Sequence, residues 1–263
     1  MARAEAEAIQ RLLSEQNERL RELDRMKDEF VSLVSHELRT PLTSIRGYLE
    51  LLFEEGGNLT PEQERFLGVV DRNSERLLHL VGDLLFLAQV DAGRLTIERE
   101  DVDFEEVVQD SVEALRPIAE SRRIELVASI TPLPTVVGDP ARLAQVLDNL
   151  VSNALKFTPE GGRVSVSLHA DGDRAVVEVK DNGVGIPRAE QSRLFERFFR
   201  SSRATHDAIP GTGLGLAITK AITEHHGGRI SVESEEDVGT SVRVELPLPA
   251  AHDAAAPAHE VAV

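Results

Sequence analysis

The sequence predicts a chain of two textures: a long helical hairpin followed by a domain that mixes helices and strands. Three observations carry this division. Residues 2–53 and 61–90 repeat apolar side chains at helical spacing. From Leu95 onward, short alternating runs appear between glycine and proline breaks. The 263 residues, 41% of them hydrophobic, are enough for two modest domains, and with 4% aromatics the core must be aliphatic.

In the first helical run, Ile9, Leu13, Gln16, Leu20, Leu23, Lys27, Phe30, Val34 and Glu37 alternate steps of four and three. That is a heptad seam with polar interruptions, and residues 1–28 read as a coiled coil. Residues 29–93 read as the hairpin. Gly56-Gly57-Asn58 marks its turn. Thr60-Pro61-Glu62-Gln63 then opens a second helix, with threonine as cap, proline at the first helical position and glutamine at the third. Its wide apolar face includes Phe66, Val70, Leu77, Val81 and Leu84. Two helices alone bury little, so a dimeric four-helix bundle is the economical way to cover that face.

Residues 94–247 form the mixed domain. Leu95–Glu98 reads as a short strand, Phe104–Arg122 as a helix and Ile124–Ile130 as a strand. Asp139 caps a strong helix reaching Phe157, with Pro140 at its first position. Arg163–His169 and Ala175–Asp181 alternate as strands, joined by Asp171-Gly172-Asp173. A polar stretch, 187–212, holds an apolar cluster at Leu194–Phe199. Gly213–His226 reads as a helix stopped by Gly227-Gly228, and Arg229–Glu233 and Thr240–Leu246 as closing strands. Residues 248–263, rich in alanine and proline, read as a disordered tail.

A net charge of −17 argues against nucleic acid as a partner. The absence of cysteine excludes disulfides and thiolate chemistry. No run approaches the eighteen or so apolar residues needed to cross a bilayer, so no membrane segment is expected in this chain. The expected location is the cytoplasm, as a free protein or as the cytoplasmic portion of a membrane-bound sensor.

Several short stretches carry chemistry. Phe30–Ile45 reads FVSLVSHELRTPLTSI and sets His36 beside Glu37, a nucleophile next to a base, with Thr40 one turn along the same face. Gly211-Thr212-Gly213-Leu214-Gly215 opens a helix, whose N-terminus suits an anion; alone, such a loop is as easily a tight turn. It is not a Walker A loop, since no Gly-Lys-Ser/Thr follows. Asp181-Asn182-Gly183-Val184-Gly185 puts a carboxylate at a strand end, able to accept from an exocyclic amine, with an Asx turn as the plainer alternative. Asn149 and Asn153 lie one helical turn apart, and their amide oxygens suit Mg²⁺; Lys156 on an adjacent face suits a phosphate. His225-His226 do not face each other on a helix and fit a helix C-terminus better than a metal site.

These blocks resemble the sensor histidine kinases of two-component signalling. SHELRTPLTSI resembles their H-box, DPARLAQVLDNLVSNALKFTP the N-box, DNGVGIP the G1 box, LFERFFR the F-box and GTGLGLAI the G2 box. All five occur in family order between Arg25 and Leu246. The resemblance implies a dimerisation and histidine-phosphotransfer hairpin, then an ATP-binding α/β sandwich: a mixed sheet with three helices on one face. It implies His36 as phospho-acceptor, Asn153 as Mg²⁺ ligand with Asn149 beside it, Lys156 on the phosphates and Asp181 on the adenine amine. Gly183, Gly185, Gly211, Gly213 and Gly215 would shape the pocket, with Thr212 and Leu214 in the same loop. Residues 187–212 would be the ATP lid, carrying Arg197 and Arg200 as phosphate contacts. The implied cofactors are ATP and Mg²⁺. The implied partners are a second copy of the chain and the receiver domain of a response regulator, with a sensory domain lying upstream.

The expected chemistry is attack by His36 on the γ-phosphate with Glu37 holding the other ring nitrogen, and a phosphatase role for Thr40. A helix threonine before a proline kink is the equal alternative for Thr40. Asn149 stands where related ATP-hydrolysing lobes carry a glutamate, and an amide is no general base. That disfavours a gyrase-type ATPase; a non-catalytic nucleotide-binding adaptor is the other alternative.

Overall fold

The computed structural model describes residues 38–53, 59–207, 209 and 211–249. The coiled coil, His36, Glu37, the turn at 56–58 and the tail lie outside them. The chain divides into two compact units, one ending at Leu95 and the other beginning at Thr96.

In the first unit, α1 is helical over 38–53 and runs through Pro41 without a break. Ser44 Oγ donates to the Thr40 carbonyl at 3.2 Å in the turn after the proline. Helix α2 is Pro61–Asp91, and its start follows the predicted capping box. Gln63 N–H donates to Thr60 Oγ1 at 3.2 Å, and Thr60 N–H donates to Gln63 Oε1 at 2.8 Å. Arg46 of α1 pairs with Glu50 at 2.9 Å and lies within electrostatic reach of Glu75 and Asp71 on α2. Leu49, Val81, Phe86 and Leu87 are buried, but Tyr48, Leu51, Phe66 and Leu77 are exposed.

The second unit contains β1 (Glu100–Val102), α3 (Phe104–Ser121), β2 (Glu125–Ile130), β3 (Val136–Gly138), α4 (Pro140–Phe157), β4 (Arg163–Asp171) and β5 (Arg174–Asp181). It continues with α5 (Arg188–Gln191), α6 (Ser202–His206), α7 (Gly215–His225), β6 (Arg229–Glu235) and β7 (Gly239–Pro247). Five strands form a mixed sheet in the order β2-β4-β5-β7-β6, parallel between β2 and β4 and antiparallel elsewhere. The parallel pair is reached by a crossover through β3 and α4; tight turns join β4 to β5 and β6 to β7, while β5 and β7 pair across the long segment that carries α5, α6, α7 and β6. Helices α3, α4 and α7 pack beside one another on one face of this sheet. Alternation sorts the strands: Val164, Val166 and Leu168 of β4 point into the core, while Ser165, Ser167 and His169 face the other way and are only partly covered. On α4 the buried stripe is Leu143, Val146, Leu147, Leu150, Val151, Ala154 and Leu155. Asn149, Asn153 and Lys156 fall off that stripe, which is why they are left for other work.

Two expectations need correction. Leu95–Glu98 is not a strand: Leu95 and Ile97 are half-buried in alternation, but the ladder begins only at Glu100, which pairs with Gly138. The partner strand β3 is three residues long, too short to alternate legibly, and was not expected between Pro134 and Asp139. Helix α7 begins at Gly215 rather than Gly213, because Gly213 takes a left-handed φ of 73°.

Candidate functional site

Asp181 ends β5, opposite Val164 on one side and Thr240 on the other. Its carboxylate is buried, and Oδ1 accepts from Gly183 N–H at 2.9 Å and Thr240 N–H at 3.2 Å. Burial pushes its pKa up, and those two bonds oppose the rise. The Asx turn is therefore present, yet it occupies one oxygen only. The described residues give Oδ2 no partner, so a fixed acceptor remains.

The glycines around Asp181 are steric requirements. A Cβ on Gly183 would lie 2.4 Å from the Phe157 carbonyl oxygen. One on Gly185, where φ is 63°, would lie 1.9 Å from the Glu235 carbonyl oxygen. Val184 N–H donates to Phe157 O at 3.2 Å, fastening this turn to the end of α4. At the other end of the site, Asn149 Nδ2 donates weakly to Gly215 O at 3.4 Å, so α4 also touches the start of α7. Helix α4, the predicted N-box, thus touches both the G1 turn and the start of the G2 helix.

On the same helix, Asn153 makes no side-chain hydrogen bond among the described residues. Lys156 makes no ion pair among them and is solvent-exposed, yet the protein packed around its ammonium lowers its pKa. An unengaged amide and an unengaged cation, one turn apart, are groups able to meet an anionic ligand and an accompanying hard cation. Neutral oxygen donors fit Mg²⁺ when phosphates supply the remaining ligands. No side chain caps α7: its N-cap, Leu214, is buried, and Thr212 Oγ1 accepts from Leu214 N–H at 3.1 Å. Unsatisfied N–H groups at that terminus suit a phosphate. A Cβ on Gly211 would meet nothing, so Gly211 is not a steric requirement as Gly185 is.

The segment 187–212 contains two short helices, α5 and α6, which sequence reasoning did not foresee. Phe198, at φ 61°, donates its N–H to Gly213 O at 2.9 Å, so the F-box lies on the G2 loop. Arg200 Nη2 donates to Ala204 O at 3.1 Å and Ile209 O at 2.6 Å, which commits its guanidinium to the backbone of the segment itself. Arg197 is also engaged within the protein. Thr40 lies exposed on α1, in the other unit.

Sequence reasoning missed Thr240, whose N–H holds Asp181, and the role of His226. The His226 ring is buried between helices, its Nδ1–H donating to Ile222 O at 2.8 Å and its Nε2 accepting Asp139 N–H at 3.0 Å. It staples the end of α7 to the start of α4. The only sequence hint was its place at a helix C-terminus.

Two family models match the chain: the His Kinase A (phospho-acceptor) domain over residues 26–93, and the histidine kinase-, DNA gyrase B-, and HSP90-like ATPase over 138–250. The sensor histidine kinase GacS of Pseudomonas protegens is 36% identical over 239 residues, covering 88% of this chain and 26% of the relative. The sensor histidine kinase WalK of Bacillus subtilis is 38% identical over 231 residues, covering 86% and 37%. The chain thus spans about a quarter to two fifths of the length of these curated relatives. Among solved structures, full-length ShkA in complex with AMPPNP superposes with a TM-score of 0.70 at 34% identity, covering 83% of this chain and 45% of that one. No described helix is long and apolar enough to cross a membrane.

Proposed function

Because the chain belongs to the sensor histidine kinases of two-component signalling, we propose that it phosphorylates its own His36 from ATP and passes the phosphoryl group to an aspartate of a response-regulator receiver domain. The observation that carries this reading is a half-satisfied Asp181 carboxylate on a turn fastened to α4, the helix that bears an unengaged Asn153 and Lys156. Asp181 Oδ2 accepts from the adenine amine. Lys156 and the N-terminus of α7 meet the phosphates. Mg²⁺ would be held by Asn153, with Asn149 beside it, and would offset phosphate charge. The resemblance supports Arg197 and Arg200 as further phosphate contacts. For Arg200 this requires release of the Ala204 and Ile209 carbonyls it holds in the ligand-free segment.

In the transfer, His36 Nε2 attacks the γ-phosphorus in line, forming an N–P bond as the bond to the β–γ bridging oxygen breaks and ADP leaves. Glu37 accepts a hydrogen bond from Nδ1–H, fixes the tautomer and takes up the developing positive charge. Thr40, exposed on α1, positions water against the phosphorylated regulator in the opposing phosphatase reaction, in which water takes the phosphoryl group as inorganic phosphate and frees the aspartate carboxylate. The helical unit, residues 29–93, acts as a homodimer, which covers the apolar faces of α1 and α2. Residues 1–28 relay a signal from an upstream sensory domain, and 94–247 is the catalytic domain, acting in the cytoplasm.

Incubation with γ-labelled ATP and Mg²⁺, wild type beside His36→Gln, tests this reading. Acid-labile, base-stable label on the wild type alone is the expected result. Phosphate release without labelled protein would show a gyrase-type ATPase instead, and nucleotide binding with neither label nor release would show a non-catalytic adaptor.

A further inference from the structure

Gln191, the last residue of α5, donates from one side-chain nitrogen to two carbonyls on different segments. Nε2 reaches Ile186 O at 2.9 Å and Ser234 O at 2.8 Å. Two carbonyl acceptors consume both amide hydrogens, which also fixes the orientation of the amide. Ile186 closes the G1 turn and Ser234 lies near the end of β6.

The chain of bonds continues from there to Asp181. Ser234 Oγ accepts from Ile186 N–H at 2.9 Å and donates to Gly239 O at 2.9 Å. Its one hydrogen is then spent, so the contact to Thr240 Oγ1 at 2.9 Å runs from the threonine hydroxyl to the serine. Thr240 N–H is in turn the second donor to Asp181 Oδ1. Asp237 N–H adds a bond to Val184 O at 2.8 Å. The G1 turn and the β6–β7 turn are clamped as one body, and Gln191 hooks the root of the 187–212 segment onto it. An apolar side chain of the same length would leave Ile186 O and Ser234 O part-buried without that donor.

We infer that Gln191 is a positioning residue for base recognition: it locks Ile186 to Ser234, and so fixes the direction in which Asp181 presents its remaining oxygen to a purine amine. This rests on the reading of Asp181 as the group that meets adenine. Gln191 touches neither base nor phosphate in this scheme, and its effect passes through Ser234 and Thr240.

The test is calorimetric binding of ATP and of GTP to the full chain, with melting temperatures, for wild type, Gln191→Met, Gln191→Glu and Asp181→Asn. Losing two hydrogen bonds that orient the site lowers ATP affinity about 5- to 10-fold in Gln191→Met. Gln191→Glu, which turns two donors into repelling acceptors, lowers it further. The preference for ATP over GTP narrows in both variants, which a fall in melting temperature alone would not produce. Wild-type affinities and preference in both, or a lowered melting temperature with ATP and GTP weakened equally, would overturn the inference. If Asp181→Asn kept the wild-type preference, the reading of Asp181 would fall and this inference with it. Lost preference in Asp181→Asn beside unaltered Gln191 variants would overturn the role of Gln191 alone.

Discussion

The two units treat apolar surface in opposite ways. Among the described residues, ten large exposed hydrophobics lie on α1 and α2, Tyr48 at 70% and Phe66 at 53% among them, against four on the larger α/β unit. The α/β unit closes its own core: Phe104, Leu147, Leu155, Ile218 and Leu246 are each at most 1% exposed. A hairpin presents two apolar stripes and can hide only part of them between two helices, whereas a sheet covered by three helices hides nearly all. On the proposed reading, the helical unit is the half that a second copy would cover, and the α/β unit is the half that would hold a nucleotide without one.

That contrast can be broken most sharply inside the α/β unit. Gly185→Ala forces a Cβ against the Glu235 backbone at a positive φ, so we expect a loss of about 3 kcal/mol or more and of ATP binding. Denaturant unfolding of that unit and calorimetry with ATP check it. The hairpin should answer to a different change. Phe66→Asp places a charge on the exposed stripe and should raise the dimer dissociation constant by about 2 kcal/mol, some 30-fold. Analytical ultracentrifugation reads the dimer, and ATP affinity should stay at the wild-type value.

The α/β unit carries a pH response of its own. Burial holds the His226 ring neutral and its pKa below the ordinary histidine value of about 6.5. Its Nε2 must stay unprotonated to accept Asp139 N–H. Between the folded and the unfolded pKa the unfolded chain binds more protons, so stability is complete above about pH 6.5 and falls as pH drops through that window. The melting temperature of the α/β unit should decline from about pH 7.5 to 5.5 in wild type and less steeply in His226→Gln. The smallest effect is Thr60→Ala, which removes one half of the capping box and should cost the hairpin about 1 kcal/mol by chemical denaturation.

What the sequence disclosed followed from local rules. Thr60 and Asp139 announced helix starts because capping is decided within four residues. Strands β4 and β5 were legible from their alternation, as were the place of Asp181 at a strand end and of Asn149 and Asn153 on one helix. Strands β1 and β3 were not, because three-residue strands carry no period, and α5 and α6 are too short to show a face. Thr240, Ser234 and Gln191 escaped for another reason. Their partners lie far along the chain and meet them only once β6 and β7 join β5 in the sheet.

The central claim is that nucleotide recognition and phosphoryl acceptance reside in separate units. Calorimetric ATP binding and γ-phosphate labelling, measured together on His36→Gln and Asp181→Ala, test it most directly. The account predicts that His36→Gln binds ATP as wild type does and takes no label. It predicts that Asp181→Ala loses roughly 10- to 100-fold in ATP affinity, and label with it. Label retained on His36→Gln, or unweakened ATP binding by Asp181→Ala, would contradict it.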